Sequence, residues 1–245
     1  MNCSNLAYGI LMALAFLAGG ALYSLSIKNS NKPLPKVLDI LLITSISGII
    51  GARITYILLF PQYFNGLRDY FAIHEGGLVF YGGFIGCLAS LVIFCKFKQL
   101  NFSYLADNLV PSLALGHGIG RIGCFISGCC YGSQTDFIKI FKLHHESFYR
   151  HPTQLYEAIA LFTLCAIFYM LLKSNRVVHK KSDGNLALMY TAVYSVMRFA
   201  IEYLRNDSRG GFYTSMYLSP SQVIAAICIF AVILLFACKK LTENR

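Results

Sequence analysis

Charged residues are scarce in this 245-residue chain, and several familiar sequence patterns are missing. Only 13% of the residues are charged, and the sequence has no heptad run, low-complexity segment or repeat of about 20–50 residues, which argues against coiled coils and repeat arrays. The first apolar segment follows Met1–Asn5, which contains no basic residue. Because a cleaved signal peptide begins with a basic region, we expect this segment to be a spanning helix.

Long apolar segments fill the chain instead. Apolar residues make up 56% of the sequence and fall in blocks of about 20 residues, the length that crosses roughly 30 Å of hydrocarbon. We therefore predict an all-α, polytopic membrane protein with seven transmembrane helices in a single integral membrane domain, residues 1–245. The predicted spans are residues 6–27, 37–60, 78–97, 105–127, 154–173, 184–204 and 218–239.

Basic residues are distributed unequally between the two sides of this arrangement. Twelve of the 21 Lys and Arg residues follow the first, third, fifth and seventh spans, against six in the connections on the other side. The positive-inside rule then predicts an outer N-terminus and a cytoplasmic C-terminus. The net charge of +10 is therefore a topology signal, and no nucleic-acid partner is predicted.

Three arginines remain, and each lies inside an apolar segment: Arg53, Arg121 and Arg198. An arginine at a helix centre costs roughly 2.5–3.5 kcal/mol on insertion scales, so such residues call for a functional explanation. In the predicted topology all three lie in the outer halves of their helices. Snorkelling to the interface would explain any one of them. Three at matched depth favour a site for a phospholipid headgroup or another anion, since guanidinium groups bind phosphate in a bidentate manner.

Polar partners accompany these arginines. Arg198, Glu202 and Arg205 follow one another at i, i+4 and i+7 on one helix face, where Glu202 can hold both guanidinium groups, and Glu157 begins the fifth span at the same outer level. Tyrosines also lie toward this side. Singly they are ordinary interfacial anchors, but beside arginines they can orient a headgroup. They are Tyr8, Tyr56, Tyr81, Tyr156 and Tyr194.

Glycines and cysteines concentrate in the segment GHGIGRIGCFISGCCYGS, residues 116–133. Its GIGRIG portion matches a dinucleotide-binding pattern, but no strand precedes it and its neighbours are apolar, so no cofactor is predicted. Gly116, Gly120 and Gly123 instead recur at i, i+4 and i+7, which predicts a small-residue face for close helix contact.

The cysteines of this segment, Cys124, Cys129 and Cys130, leave alternatives open. Their C-x4-C-C spacing is not a C-x2-C pair and no second pair follows, so no metal site is predicted. A disulfide is the simpler interpretation, with Cys124 and Cys129 as one possible pair. A nucleophilic cysteine would need an activating partner, and His117 is about two turns from Cys124, which does not place them in contact.

Six segments in chain order resemble those of the bacterial prolipoprotein diacylglyceryl transferases, with the sequence as a divergent member. The likeness covers nearly the whole chain, and the joint occurrence of the motifs is far more specific than any one alone. The segments are YG (8–9), GARITYILL (51–59), HEGGLVFYGGFIG (74–86), GRIGCFISGCCYG (120–132), RHPTQLYEA (150–158) and RFAIEYLRND (198–207).

The resemblance implies a monomeric, multi-pass enzyme of the bacterial inner (cytoplasmic) membrane, without cofactors and with its active site toward the outer leaflet. It would move the diacylglyceryl group of phosphatidylglycerol to the lipobox cysteine thiol of a prolipoprotein signal peptide, form a thioether and release glycerol phosphate. The expected partners are phosphatidylglycerol, the prolipoprotein and membrane lipid.

Matched by position, the resemblance makes Arg121 and Arg198 catalytic. Tyr81 stands where many members have a histidine base, which leaves the base open between Tyr81 and His74; Cys124, Ser127 and Cys129 replace two asparagines and a glutamate. No metal ligand is implied. The candidate substrate-binding residues are Tyr8, Arg53, Glu157, Tyr194, Glu202, Arg205 and Gly132.

Two other functions are compatible with these segments. A non-catalytic phospholipid or anion transporter could employ the same arginines, although the matching halves common in transporters are not visible. A disulfide-exchange enzyme would use the cysteines instead.

Overall fold

The computed structural model describes residues 3–30, 32–64, 66–73, 76–143, 146–174, 184–205 and 218–243. Within these residues the regular secondary structure is helical apart from isolated bridges and one minimal antiparallel ladder, in which Gln134 pairs with Arg150 and Thr135 with Tyr149. The elements are α1 (Cys3–Lys28), α2 (Val37–Leu59), a 3-10 turn (Pro61–Tyr63), α3 (Leu67–Phe71), α4 (Phe80–Phe97), α5 (Phe102–Ile126), β1 (Gln134–Thr135), β2 (Tyr149–Arg150), α6 (Thr153–Lys173), α7 (Asn185–Glu202) and α8 (Pro220–Glu243).

Six of the described helices, α1, α2, α4, α5, α6 and α8, are long and apolar enough to cross a membrane. The prediction of an all-α, multi-pass membrane protein is therefore confirmed. The sixth predicted span, residues 184–204, is also a helix, α7, but its 18 residues include Asn185, Arg198 and Glu202. These polar groups lower its apolar character, and α7 is not among the six.

The described chain divides into two compact units. In the unit Tyr23–Leu105, α2 packs on α4 through facing glycines. A methyl group at Gly51 would lie 2.4 Å from the carbonyl oxygen of Gly82, and one at Gly82 would lie 2.0 Å from Oγ1 of Thr55. Only glycine permits so close an approach of two helix backbones.

In the other unit, Met1–Leu22 with Ala106–Arg245, a buried core joins α5, α6 and α7. The predicted glycine face of α5 lies against α1: a methyl group at Gly116 would be 3.3 Å from the carbonyl oxygen of Ala15, and one at Gly123 would be 3.2 Å from the Tyr8 ring. The prediction of close helix contact at this face is confirmed. Core residues are Val110, Ala114, Leu161, Phe168, Leu186 and Tyr190.

The N-terminus of α7 is capped by a side chain from α5. The N-cap position is Gly184, which has no side chain to offer. The buried Asp107 carboxylate accepts hydrogen bonds from the backbone N–H groups of Gly184 (2.7 Å) and Ala187 (2.9 Å). A carboxylate there satisfies orphan donors and complements the helix dipole. This contact holds the start of α7, and with it the polar face at its other end, in a defined position.

Candidate active site

The site begins at the C-terminus of α5, where the chain turns sharply. Gly128 has φ +67°, its N–H donates to the carbonyl of Phe125 (3.1 Å), and the N–H of Cys129 donates to the carbonyl of Cys124 (3.1 Å). These two bonds form a Schellman motif, which normally ends in a left-handed glycine. The motif folds the following loop back over the last turn of α5, next to Arg121.

Glu157 of α6 is the centre of the first polar cluster. Its side chain is only 1% exposed. Its Oε1 atom lies 2.9 Å from Nη2 of Arg121 and accepts a hydrogen bond from the Tyr194 hydroxyl at 2.9 Å. The imidazole Nε2 of His117 is 3.8 Å from the same oxygen. One buried carboxylate thus connects α5, α6 and α7.

Glu202 of α7 organises the second cluster. Nη2 of Arg198 lies 2.6 Å from Oε2 of Glu202, a contact that is an ion pair and not an aligned hydrogen bond. The same nitrogen donates to Oγ of Ser221 on α8 at 3.0 Å. Nε of Arg205 is 3.8 Å from Glu202. The predicted i, i+4 pairing of Arg198 with Glu202 on one helix face is confirmed, whereas Arg205 lies past the end of α7 and approaches Glu202 from the following turn.

The two clusters belong to one electrostatic environment. His117 and Tyr194 each interact with both Arg121 and Arg198, and their rings are 5.1 Å apart. Among the described residues, Nε of Arg121 and Nη1 of Arg198 are buried donors without a hydrogen-bond partner. A buried, unsatisfied guanidinium donor is costly, and a phosphate oxygen is the acceptor that it binds best. The arrangement suits an anionic headgroup.

Gly132 lies where the loop meets the end of α7. It forms a β-bridge with Arg205, and its N–H donates to the carbonyl of His151 at 2.9 Å. A methyl group at this position would be 2.5 Å from the carbonyl oxygen of Leu204 and 2.9 Å from a Thr153 side-chain carbon. A side chain is therefore excluded by backbone on one side and by α6 on the other.

Arg150 fastens the same loop outside the spanning helices. It forms a bidentate pair with Glu146, its guanidinium lies 4.7 Å from the Tyr131 ring centre, and it donates to the carbonyl of Gly132 at 3.3 Å. Its hydrogen bonds to the carboxylate hold the pKa of Glu146 below its usual range. The pair anchors the loop segment that docks on α7.

Tyr8 reaches the site from α1, with its ring against Gly123 on the last turn of α5. Its exposed fraction is 39%, so it remains accessible to a ligand. Tyr8 thus contacts a residue two positions after Arg121 on α5, and its role in substrate binding stays a prediction.

Arg53 and Tyr81 belong to the unit Tyr23–Leu105. The buried Arg53 guanidinium donates to the backbone carbonyls of Asp69 and Tyr70, and to that of Gly76 at 2.7 Å. It therefore ties the segment after α2 to the helix, and its role as a headgroup ligand stays a prediction. Tyr81 opens α4 with 40% of its surface exposed. His74 lies outside the described residues.

His117 is the residue that sequence reasoning missed. Its spacing of seven residues from Cys124 indicates no contact between the two side chains. The informative spacing was to Arg121, four residues on, which places both on one face of α5. Ser221 accepts a hydrogen bond from Arg198 but lies in the first turn of another helix, α8. No spacing in the sequence relates it to Arg198.

The three cysteines also come together. The Sγ atoms of Cys124, Cys129 and Cys130 lie within 4.8 Å of one another, and the described cysteines form no disulfide. Cys130 has φ +64°, a conformation that costs a residue with a Cβ some free energy. Among the described residues this trio is the set that could hold a metal ion.

The sequence profile of the family described as prolipoprotein diacylglyceryl transferase matches residues 3–238. The chain belongs to this family. The resemblance inferred from the motifs is thus confirmed. The match spans both arginine-bearing helices, so Arg121 and Arg198 lie within the family's own sequence and not in an added segment.

Curated relatives agree with this assignment. The phosphatidylglycerol–prolipoprotein diacylglyceryl transferase of Clostridium tetani is 31% identical over 231 residues, covering 91% of each chain. That of Finegoldia magna is 33% identical over 225 residues, covering 91% of this chain and 88% of the relative. Transferase 1 of Clostridium perfringens is 35% identical over 210 residues, covering 82% and 79%. The chain is therefore similar to these enzymes over most of their length.

Proposed function

We propose that this chain transfers the diacylglyceryl group of phosphatidylglycerol to the cysteine thiol of a prolipoprotein lipobox, forming a thioether and releasing glycerol phosphate. Membership of the transferase family supports the reaction and gives no support to the transporter alternative. The observation that carries the chemistry is the buried Arg121–Glu157–Tyr194 cluster beside Arg198.

The leaving group determines what the site must do. A new bond forms between sulfur and the glyceryl carbon while the bond from that carbon to the phosphate oxygen breaks, and glycerol phosphate departs with the electron pair. Negative charge therefore grows on phosphate oxygens in the transition state. Arg121 and Arg198 offer buried donors to that charge; removing one such donor typically costs about 10²–10³-fold in rate.

Glu157 acts as a positioning residue. Arg121 is 14% exposed and Glu157 1% exposed, so each charge has little water around it and requires the other. Glu157 also accepts a hydrogen bond from the Tyr194 hydroxyl. Both partners are thus oriented before the lipid arrives, which reduces the reorganisation needed in the transition state.

We propose that His117 accepts the proton of the attacking thiol. The attacking cysteine must become a thiolate, and imidazole is the side chain that takes up a proton near neutral pH. His117 is 24% exposed, and Nε2 lies 3.8 Å from Glu157, whose negative charge would offset the repulsion of the imidazolium by Arg121 and Arg198. A phenol has a reference pKa near ~10 and is a weak base at neutral pH, so Tyr81 suits positioning of the thiol or the headgroup.

Family membership and the charge distribution support a location and an orientation in the membrane. The chain resides as a monomer in the bacterial inner membrane, with its N-terminus outside, its C-terminus in the cytoplasm and the arginine clusters toward the outer leaflet; the excess of Lys and Arg on one side supports this orientation. A C-terminal tag cleaved by external protease before the inner membrane is permeabilised would contradict it.

The direct test uses purified enzyme, phosphatidylglycerol of defined acyl chains and a lipobox peptide. Mass spectrometry should show the peptide gaining one diacylglyceryl group, with glycerol phosphate released in equal amount. Arg121→Ala and Arg198→Ala should remove the product. Movement of labelled lipid without peptide modification would support a transporter and refute the proposal.

A further inference from the structure

Three thiols meet at the end of α5 for reasons of backbone geometry. In a Schellman motif the residue after the left-handed glycine packs against the helix one turn back. Here those positions are Cys129 and Cys124, and the left-handed backbone of Cys130 brings the third sulfur to the same place. All three Sγ atoms lie within 4.8 Å of one another.

These separations are close to those of a coordinated metal ion. With metal–sulfur bonds of about 2.3 Å, three sulfurs around one ion are about 4 Å apart. Side-chain rotation of less than about 1 Å per sulfur would therefore complete the site. The spacing C-x4-C-C gave no indication of this, because the cluster depends on the Schellman turn and not on a metal-binding loop.

The loop carbonyls are held in place by α6. Oγ1 of Thr153 donates to the carbonyl of Cys130 at 2.8 Å, and Nε2 of Gln154 donates to that of Cys129. Both donor residues are buried. Cys130 is buried and Cys129 is exposed, so the site has a fixed inner wall and a side through which an ion can enter.

The charge environment also suits bound thiolates. Cys124 follows Arg121 by three residues and so lies on the same face of α5. Arg121 interacts electrostatically with Cys124 and Cys130. Three thiolates with a monovalent or divalent ion carry net negative charge, and a neighbouring guanidinium offsets it.

We propose that Cys124, Cys129 and Cys130 form a three-thiolate binding site for one soft metal ion of the Cu⁺ or Zn²⁺ class. Thiolate ligands select such ions over Mg²⁺ or Ca²⁺. Binding displaces the three thiol protons to solvent and changes no oxidation state. The site adjoins Arg121, but the transfer reaction proposed above requires no metal step.

The test uses the full-length, reduced protein in detergent, with Cd²⁺ as a spectroscopic probe. One Cd²⁺ per chain should bind and give near-ultraviolet thiolate-to-metal absorption; a large excess of Zn²⁺ should compete with Cd²⁺ and reduce this absorption, and the same excess of Mg²⁺ should not. Cys124→Ser and Cys129→Ser should weaken binding by at least about 100-fold, because changes outside the ligand set already cost about 10–100-fold. Cys165→Ser, a half-buried cysteine of α6 outside the cluster, is the matched control.

A second measurement needs no variant. Maleimide labelling of the wild-type protein, followed by peptide mass spectrometry, should show Cd²⁺ protecting Cys124, Cys129 and Cys130 together and leaving Cys165 unchanged. Variants are compared only where size-exclusion profiles match the wild type. No stoichiometric binding by the reduced wild type, binding retained in Cys129→Ser, or protection of fewer than three of these thiols would overturn the proposal.

Discussion

Replacing Glu157 by glutamine tests how the buried cluster works. Glu157→Gln removes the charge but keeps the side-chain size and an acceptor for Tyr194. Breaking one side of a buried ion pair costs about 3–5 kcal/mol. Arg121 is 14% exposed, and the amide oxygen still accepts a hydrogen bond, so we expect a loss of about 2–3 kcal/mol.

That loss has a measurable size in both stability and rate. At about 2–4 °C per kcal/mol for a chain of this length, the unfolding midpoint in detergent should fall by roughly 4–12 °C. Because the Arg121 guanidinium also loses its orientation, kcat should fall about 100-fold, the usual effect of a 1 Å misplacement. The mass-spectrometric transfer assay with saturating phosphatidylglycerol measures kcat, and a thermal scan of the same preparation measures the midpoint.

Glu146→Gln is the matched control. It removes the carboxylate of another close Arg–Glu pair, but in the loop, where the Glu146 side chain is 19% exposed against 1% for Glu157. This pair does not orient Arg121, and Arg150 keeps its hydrogen bond to the carbonyl of Gly132, so this variant should lose much less kcat than Glu157→Gln. If Glu157→Gln retained kcat within about twofold, or if the two variants behaved alike, the role of burial in orienting Arg121 would be refuted.

The remaining predictions concern the loop and the proton acceptor. Gly132→Ala should abolish most transfer activity and lower the unfolding midpoint, because the methyl group has no space; wild-type activity would contradict the close docking. His117→Gln should reduce kcat by about 10²–10⁴-fold with little change in KM. Tyr81→Phe should affect KM more than kcat. The reverse pattern would indicate that Tyr81 is the base and would contradict the role of His117. Since Arg150 lowers the pKa of Glu146, the pair stabilises the loop above the ordinary glutamate pKa of about 4.3. That stabilisation is lost as pH falls through the lowered value, and loop proteolysis should then increase in the wild type but not in Glu146→Gln.

Spacing within one helix was predictable. The i, i+4 spacing correctly placed Arg198 beside Glu202 on α7, and the glycines of α5 correctly marked a close helix contact, whereas Arg205 lies past the end of the helix. The reason is that helical periodicity alone decides which residues share a face. The motifs likewise identified the family, because their joint order is independent of any contact.

Apolarity alone supports six of the seven predicted spans, and the span at residues 184–204 stays a prediction. α7 forms at the expected place, but it carries polar side chains on the face that packs against the protein. Ser195 and Arg198 are buried there, and Glu202 pairs with Arg198. Hydropathy depends on composition alone, so it does not distinguish a helix with a buried polar face from a helix that faces lipid on all sides.

The sequence by itself determined that this is an all-helical membrane protein of the diacylglyceryl transferase family, with arginines in its apolar helices. Only the tertiary structure decided which groups those arginines meet. Glu157 pairs with Arg121 across two helices, Arg53 binds the carbonyls of its own neighbouring segment, and three cysteines of unpromising spacing come together at a turn. Helical periodicity determines which side chains share a face of one helix. The distances between side chains on different helices, or on either side of a tight turn, depend on helix packing and on the backbone of the turn.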